Sequence, residues 1–197
     1  MSENTLLQAR DALVQGGVIA LPTDTVYGLG ISPLHVNTLD ALYNLKKRDT
    51  AKPIAWLLAD ESDLIVYGVQ VPAYAQELAR RFWPGALTLV VQASQAVPKA
   101  FQSAAGTIGL RVPDHDETRE LIRLMGSPLA VTSANLSGED AACSCATLDP
   151  TLTAHLAYVL PDHGFEPSGK ASTVVDCTHE APRVLRQGDI EIESVTN

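Results

Sequence analysis

The sequence has few cysteines, few aromatic residues and no long apolar segment. Three of its 197 residues are cysteines, an odd number that fits no disulfide framework and predicts a reduced, cytoplasmic protein. No stretch approaches the roughly 20 apolar residues of a transmembrane helix. The first residues, MSENTLLQARD, lack the basic and apolar regions of a signal peptide. We therefore expect a protein that does not engage a membrane.

Basic residues are also scarce. The 14 Lys and Arg residues are outnumbered by 23 Asp and Glu residues, which gives a formal net charge of −9 at pH 7. This charge argues against a protein whose whole surface binds nucleic acid. It still allows a local basic cleft, since Lys46, Lys47, Arg48 and Lys52 lie close together in the chain.

Length and apolar content predict one globular domain. With 197 residues, 46% of them apolar, we expect a single domain over residues 1–197 with a loose tail after about residue 188. Apolar periodicity predicts helices at residues 5–14, 35–45, 72–82 and 116–125, and strands at residues 18–21, 53–58, 86–91, 107–112, 129–132, 158–160, 172–175 and 184–185. This alternation predicts an α/β fold with a largely wound sheet, and the strand-rich last third favours a mixed sheet.

Residues 21–30, LPTDTVYGLG, follow the first predicted strand and carry an unusual set of polar groups. Pro22 has no N–H for a sheet, so the strand should end there. Thr23, Asp24, Thr25 and Tyr27 then place three hydroxyls and one carboxylate in a loop that also includes two glycines. Open α/β sheets bind ligands beyond the carboxyl ends of strands, so this is a candidate binding loop. The alternative is a turn whose polar side chains serve only their own backbone.

Two nucleotide-binding signatures are present only in part. Residues 28–30, GLG, lack the third glycine of a dinucleotide fingerprint. Residues 164–170, GFEPSGK, nearly fit a phosphate-binding P-loop, but Ala171 replaces the Ser or Thr that binds Mg²⁺. The residues that follow predict a strand, and without a helix N-terminus the phosphate cradle loses its array of N–H groups. Neither signature therefore identifies the protein.

Signatures of metal binding and covalent catalysis are equally weak. Cys143-x-Cys145 with His155 is half of a metal site whose second pair is missing, and buried structural thiols are the simpler interpretation. The sequence contains no GxSxG or HExxH motif and no Cys/His pairing. We therefore expect no metal ligands from the protein and no covalent nucleophile.

Small polar and cationic residues stand at the predicted ends of strands and helices, and one cation lies inside a strand: Lys46, Arg48, Arg111, Ser133, Asn135 and Arg186. Lys46 and Arg48 end a helix, where a cation also favours the helix dipole without any ligand. Arg111 interrupts the apolar strand at residues 107–112, and a buried cation requires an anion or a carboxylate partner. If these residues converge, the expected ligand is a polyanion, most simply a nucleoside triphosphate.

Six segments occur together in a characteristic order: PTDTVYGLG, Lys46-x-Arg48, TIGLR, TSANLSG, STVVD and LRQG. In this respect the chain resembles the YrdC/TsaC family of L-threonylcarbamoyladenylate synthases over residues 17–188. The resemblance implies a twisted mixed α/β sheet flanked by helices, with a concave ligand cleft. It also implies condensation of L-threonine, bicarbonate or CO₂, and ATP to threonylcarbamoyl-AMP and pyrophosphate, with Mg²⁺ accompanying the nucleotide. Partner proteins would then modify the tRNA adenosine beside the anticodon, so tRNA would be an indirect partner.

The resemblance also implies roles for individual residues, by position in the shared motifs. The implied catalytic residues are Lys46, Arg48, Ser133 and Asn135. The implied ATP contacts are Arg48, Lys52, Thr107, Ser133 and Arg186. The implied threonine contacts are Thr25, Arg111, Ser172 and Thr173. Substrate preference stays open, because Asp49, Ala171 and Gln187 stand where the family usually has proline, and Leu57 where some longer relatives have histidine.

Three other functions are compatible with parts of this pattern. An RNA-binding or ribosome-maturation module of the same fold, with weak RNA binding, is disfavoured by the net charge of −9. A sister-branch protein without the activity is disfavoured by the intact Lys-x-Arg and Ser-x-Asn pairs. A carbamoyl-AMP-forming domain, as in hydrogenase maturation proteins, is disfavoured because those proteins carry additional domains. The chain also lacks the extra C-terminal domain of longer family members, so it resembles the short form.

Overall fold

The structure is a computed structural model that describes residues 3–46 and 54–191. Its α-helices are α1 (Glu3–Val14), α2 (Asp40–Lys46), α3 (Leu64–Tyr67), α4 (Ala73–Phe82), α5 (Asp116–Met125) and α6 (Pro150–Thr153). Its strands are β1 (Ile19–Leu21), β2 (Gly28–Ile31), β3 (Ala55–Leu57), β4 (Gly68–Val69), β5 (Leu87–Ala93), β6 (Thr107–Arg111), β7 (Leu129–Ser133), β8 (Tyr158–Val159), β9 (Thr173–Asp176) and β10 (Arg183–Arg186). Among these elements, no helix has the length and apolar character needed to cross a membrane.

All of these strands belong to one mixed sheet, in the order β10-β9-β5-β6-β3-β7-β2-β1-β8, with β4 added beside β5. Neighbours pair in parallel at β1–β8, β3–β6 and β5–β9, and antiparallel at every other step of this order. The predicted mixed α/β sheet is therefore confirmed. The expectation that it is largely wound is wrong, because β1–β2 and β5–β6 are consecutive strands that pair antiparallel, which needs no crossover connection.

β2 lies inside the stretch that the sequence suggested was a loop. Two of its residues, Gly28 and Gly30, supply no side chains to the alternating pattern that identifies a strand. Their place between β1 and β7 explains why they are glycines. A Cβ at Gly28 would lie 2.5 Å from Val131 Cγ1, and one at Gly30 would lie 2.7 Å from Leu21 Cδ2. The connecting loop is thus shortened to residues 22–27.

Apolar residues form a core on both faces of the sheet. On one face, the inner sides of α2 and α4 pack against strand residues such as Leu29, Trp56 and Leu110. On the other face, α1 and α5 pack against Leu57 and Val131, which also line the cleft described below. The helices on the second face therefore leave part of it open.

Most predicted elements agree with the structure within a few residues. α5 has the predicted bounds and ends at Gly126, which adopts the left-handed conformation at its C-cap. α2 is shorter than predicted and begins at Asp40. The sequence does not predict α3 and β4, because α3 has only four residues and β4 only two, too few to show a period in apolar spacing.

Candidate functional site

A concave cleft of about 1060 Å³ opens on the sheet face that α1 and α5 leave uncovered. Residues of β3, β5, β6, β7 and β9 form its floor. The 22–27 loop contributes to one wall, and residues 171–172 and β10 contribute to another. The expected concave cleft is present. Its position differs from the one expected beyond the strand ends, because side chains standing on the sheet face form the floor.

Arg111 lies at one end of the cleft and is almost fully buried, with 6% of its surface exposed. Its Nε donates to the carbonyl of Gly85 at 3.0 Å and its Nη1 to Thr25 Oγ1 at 2.9 Å. Its Nη2 pairs with Asp24 Oδ1 at 2.6 Å. Burial lowers the pKa of the Arg111 guanidinium, and the charge of Asp24 opposes that shift. We call Asp24, Thr25 and Arg111 the Arg111 end.

The 22–27 loop forms a turn that serves its own backbone, and it also lines the cleft. Thr23 Oγ1 donates to the carbonyl of Val26 at 2.6 Å and accepts from the backbone of Thr25 and Val26, as in a turn that serves itself. Since that donation uses the one hydroxyl hydrogen of Thr23, the 2.9 Å contact between the two hydroxyls must be a donation from Thr25. Thr25 Oγ1 therefore faces Arg111 as an acceptor. The Tyr27 hydroxyl instead donates to the carbonyl of Leu160 at 3.0 Å.

Lys46, Ser133 and Asn135 meet at a second end of the site, which we call the Lys46 end. Lys46 closes α2, and its side chain is buried with 1% exposed. Its Nζ donates to the carbonyl of Ser133 and to Asn135 Oδ1, the latter at 2.8 Å. Ser133 Oγ donates to the same Asn135 oxygen at 2.6 Å. Of these three residues, Ser133 lines the cleft, and the other two are hydrogen-bonded to it.

The amide of Asn135 is fixed from the opposite side. Its Nδ2 donates to the carbonyls of Leu136 at 2.9 Å and Glu139 at 2.7 Å. These two bonds hold Oδ1 toward Lys46 and Ser133. The Ser-x-Asn motif and Lys46 are thus brought together as expected. Arg48 and Lys52, which the sequence also assigned to this region, lie outside the described residues.

The C-terminal wall contains Ser172 and Arg186, both of which line the cleft. Arg186 donates through Nε and Nη2 to the carbonyl of Ser172, at 3.1 and 2.8 Å, and through Nη2 to Ser172 Oγ at 3.2 Å. Gly188 follows in the LRQG segment, where an added Cβ would lie 2.2 Å from the carbonyl oxygen of Ala171. Only glycine allows this close approach, which keeps Arg186 beside Ser172.

Thr173 is not brought to the cleft. Its side chain is fully buried, its Oγ1 donates to the carbonyl of Ile190 at 2.6 Å, and it accepts from the backbone N–H of Gly188 at 2.9 Å. Successive residues of a strand face opposite sides of a sheet, so Ser172 and Val174 face the cleft while Thr173 faces away. Of the two adjacent hydroxyls, the structure therefore places only that of Ser172 in the cleft.

Thr107 lines the cleft on β6, where its hydroxyl shares a 2.7 Å hydrogen bond with Ser103. Further polar residues line the cleft without belonging to the expected set: Thr88, Gln92, Asp176 and His179. Thr88 and Gln92 on the apolar strand β5 are separated by an even number of residues, as are Thr107 and Arg111 on β6, so each pair faces one side of the sheet. Polar residues spaced in this way on two apolar strands are the sequence signal for a polar strip on the sheet face.

A family model described as "Telomere recombination", for the Sua5, YciO and YrdC proteins, matches residues 11–188 of the chain. The chain belongs to this family. A curated protein of Pyrococcus abyssi named threonylcarbamoyl-AMP synthase is 34% identical over 181 residues, which are 92% of this chain and 53% of that protein. A Mycobacterium tuberculosis protein that carries this name provisionally is 36% identical over 190 residues, 96% of this chain and 87% of its own length.

The fold is shared with solved structures of this family. The structure of P. abyssi Sua5 complexed with L-threonine is 34% identical in sequence and superposes with a TM-score of 0.86. That match covers 93% of this chain and 54% of the P. abyssi chain. The chain therefore spans about half the length of these P. abyssi relatives.

Proposed function

We propose that the chain catalyses the synthesis of threonylcarbamoyl-AMP from L-threonine, bicarbonate or CO₂, and ATP, with release of pyrophosphate. The observation that carries this proposal is the Arg111 end, where a buried arginine is oriented by Asp24 and Thr25 toward a cleft. Membership of a family in which one relative is complexed with L-threonine supports an amino acid as the ligand there.

In this proposal the threonine carboxylate binds Arg111. A guanidinium has five N–H groups, and the three bonds of Arg111 to Gly85, Thr25 and Asp24 leave one on each terminal nitrogen. Two such N–H groups suit a carboxylate. Thr25 and Ser172 would complete the contacts to the amino acid.

The nucleotide would occupy the other part of the cleft. Lys46, Ser133 and Asn135 meet beside the cleft, and a lysine ammonium in this position suits phosphates. We propose further ATP contacts from Arg48, Lys52, Thr107 and Arg186. A volume of about 1060 Å³ lies at the upper end of the range for ligand pockets and suits two ligands side by side.

The proposed chemistry relies on position and charge. The amine of threonine adds to CO₂ to give a carbamate, a carbamate oxygen attacks the α-phosphorus of ATP, and pyrophosphate leaves. Such phosphoryl-type transfer needs aligned reactants and offset charge, which Lys46, Arg48 and Arg186 would supply, and it needs no protein nucleophile. Lys46 and Arg48 would also hold the reacting carbamate.

Mg²⁺ would enter with the nucleotide. The described residues contain no group of three His, Cys, Asp or Glu side chains that could hold an ion, and Asp176 is the carboxylate among the described lining residues. This set fits an ion that keeps its main ligands on the phosphates, as Mg²⁺ does at nucleotide sites. Its charge would stabilise the leaving pyrophosphate. The product would pass to transfer proteins that act on tRNA in the cytoplasm.

The test is pyrophosphate release from ATP, with threonine and bicarbonate each omitted in turn, and mass spectrometry of the product. Release that requires both, with formation of threonylcarbamoyl-AMP, is the expected result. Release without threonine would indicate carbamoyl-AMP formation or a simple ATPase. No release from folded protein would favour the sister-branch or RNA-binding function. Arg48→Ala should greatly lower turnover without unfolding the protein.

A further inference from the structure

We infer that Thr88 is a positioning residue for the amino-acid substrate and that it acts as a unit with Ser172. This inference rests on the proposed function. Thr88 stands on β5 in the floor of the cleft, 5% exposed, and its Oγ1 lies 2.9 Å from Ser172 Oγ.

Strand register places Thr88 between Arg111 and Arg186, which both line the cleft. In the antiparallel β5–β6 pair, Leu89 is opposite Leu110, so the next position puts Thr88 opposite Arg111. On its other side Thr88 pairs with Val174 of β9, the strand that Ser172 precedes. Arg186, on the next strand β10, donates to the carbonyl and the hydroxyl of Ser172. The cleft floor thus runs from Arg111 through Thr88 and Ser172 to Arg186.

Packing fixes which way the Thr88 side chain turns. A Cβ placed on Gly109 would lie 3.3 Å from Thr88 Cγ2, so the threonine methyl group rests over this glycine. A β-branched side chain on a strand has few allowed rotamers. With the methyl group held over β6, the hydroxyl is directed toward β9 and Ser172. Thr88 is therefore oriented before any ligand arrives.

The hydroxyl hydrogens of the pair give it a defined role. Thr88 and Ser172 each carry one O–H, and the hydrogen bond between them uses one of the two. Arg186 Nη2 fills an acceptor position of Ser172 Oγ. Whichever residue donates in the bond between them, the O–H of one residue remains available to donate elsewhere. A carboxylate held at Arg111 is the strongest acceptor available to it, so the pair adds one donor to the carboxylate site.

The experiment compares Thr88→Val with Thr88→Ser in the pyrophosphate-release assay. Valine keeps the branched shape and removes the hydroxyl, whereas serine keeps the hydroxyl. We expect Thr88→Val to raise KM for threonine by about tenfold or more, because the Ser172 hydroxyl that remains is no longer held in the direction of the carboxylate, which then loses one hydrogen bond to a charged group. We expect KM for ATP to stay within about twofold, and Thr88→Ser to retain most of the wild-type KM for threonine. This split distinguishes positioning of the amino acid from general loss of structure.

A double-mutant cycle with Ser172→Ala tests whether the two hydroxyls act as a unit. If they do, the double variant should be little worse than Thr88→Val alone. Full additivity, or an unchanged KM for threonine in Thr88→Val, would overturn the inference. Should circular dichroism show Thr88→Val unfolded, Thr88→Cys supplies the same comparison, since a thiol is a weak donor of similar shape.

Calorimetric titration of L-threonine into the protein without ATP separates this inference from the proposed function. Weaker threonine binding by Thr88→Val supports the role of Thr88, even if the wild-type protein releases no pyrophosphate. Equal threonine affinity in wild type and Thr88→Val contradicts that role, even if the wild-type protein is an active synthase.

Discussion

The two ends of the site hold a buried cation in different ways. At the Arg111 end, a carboxylate lies 2.6 Å from the guanidinium, so Asp24 and Arg111 together carry no net charge. At the Lys46 end, the ammonium donates to uncharged oxygens of Ser133 and Asn135. Both cations are nearly inaccessible to solvent, but Arg111 contacts a carboxylate whereas Lys46 contacts neutral oxygens of Ser133 and Asn135.

This difference suits two kinds of anion. A neutral ion pair offers directed N–H groups and little net field, which favours a single carboxylate that must be placed accurately. A lysine ammonium acts as a point charge, which suits the phosphate chain of a nucleotide. The comparison therefore supports amino-acid binding at the Arg111 end and triphosphate binding at the Lys46 end.

The largest expected effect is that of Lys46→Met, which removes the charge and keeps the apolar length. We expect turnover to fall by about a hundred- to a thousandfold, the loss typical of a group that stabilises transition-state charge. Steady-state pyrophosphate release checks this, with Lys99→Met as the matched control, because Lys99 is exposed and lies outside the cleft lining. Equal turnover of the two variants would remove Lys46 from the mechanism.

Asp24→Asn sharpens the comparison at the other end. Asparagine keeps the shape but leaves the buried Arg111 charge without its carboxylate, so the free energy of unfolding should fall by about 3 kcal/mol. Denaturant unfolding measures this change. Asp11→Asn breaks the exposed pair with Arg10 and should cost less than about 1 kcal/mol. Similar losses in both variants would mean that the Arg111 pair is no more structural than a surface pair.

The smallest effect concerns His115, which caps α5 by accepting from the backbone N–H of Thr118. Burial lowers the pKa of His115 in the folded protein, while the carboxylates of Glu117 and Asp24 oppose that shift. Below about pH 6.5 the unfolded chain therefore binds a proton that the folded chain resists, so stability should decrease as the pH falls through this window.

His115→Asn separates the cap from the charge. Asparagine can accept the same N-cap hydrogen bond but does not titrate. Thermal unfolding at pH 7.5 and pH 5.5 should show a smaller acid-dependent loss in the variant than in the wild type. The same acid-dependent loss in both proteins would mean that another group is responsible.

Sequence alone predicts most of the fold and part of the site. Long periodic segments such as α5 are recognisable because their apolar spacing is strong. β2 is not, because Gly28 and Gly30 carry no side chains and their role depends on contacts with β1 and β7. The need of Arg111 for a carboxylate follows from electrostatics, but the choice of Asp24 depends on how the 22–27 loop meets β6.

Side-chain direction explains the remaining differences. Ser172 and Thr173 are adjacent hydroxyls in one motif, and only the exact strand register decides which of them faces the cleft. Thr88 belongs to no recognised motif, and its proposed role becomes apparent only when its neighbours on β6 and β9 are known. The role of a single motif residue can thus be predicted from the sequence. A role that depends on neighbours in adjacent strands can be predicted only when the pairing register of those strands is known.

The division of the cleft between two ligands is tested most directly by a crossed binding experiment. L-threonine and ATP would each be titrated by calorimetry into wild type, Arg111→Gln and Lys46→Met, with folding checked by circular dichroism. We predict that Arg111→Gln weakens threonine binding by about tenfold or more and leaves ATP binding nearly unchanged, and that Lys46→Met does the reverse. Loss of the same ligand in both variants, or of neither, would contradict the division.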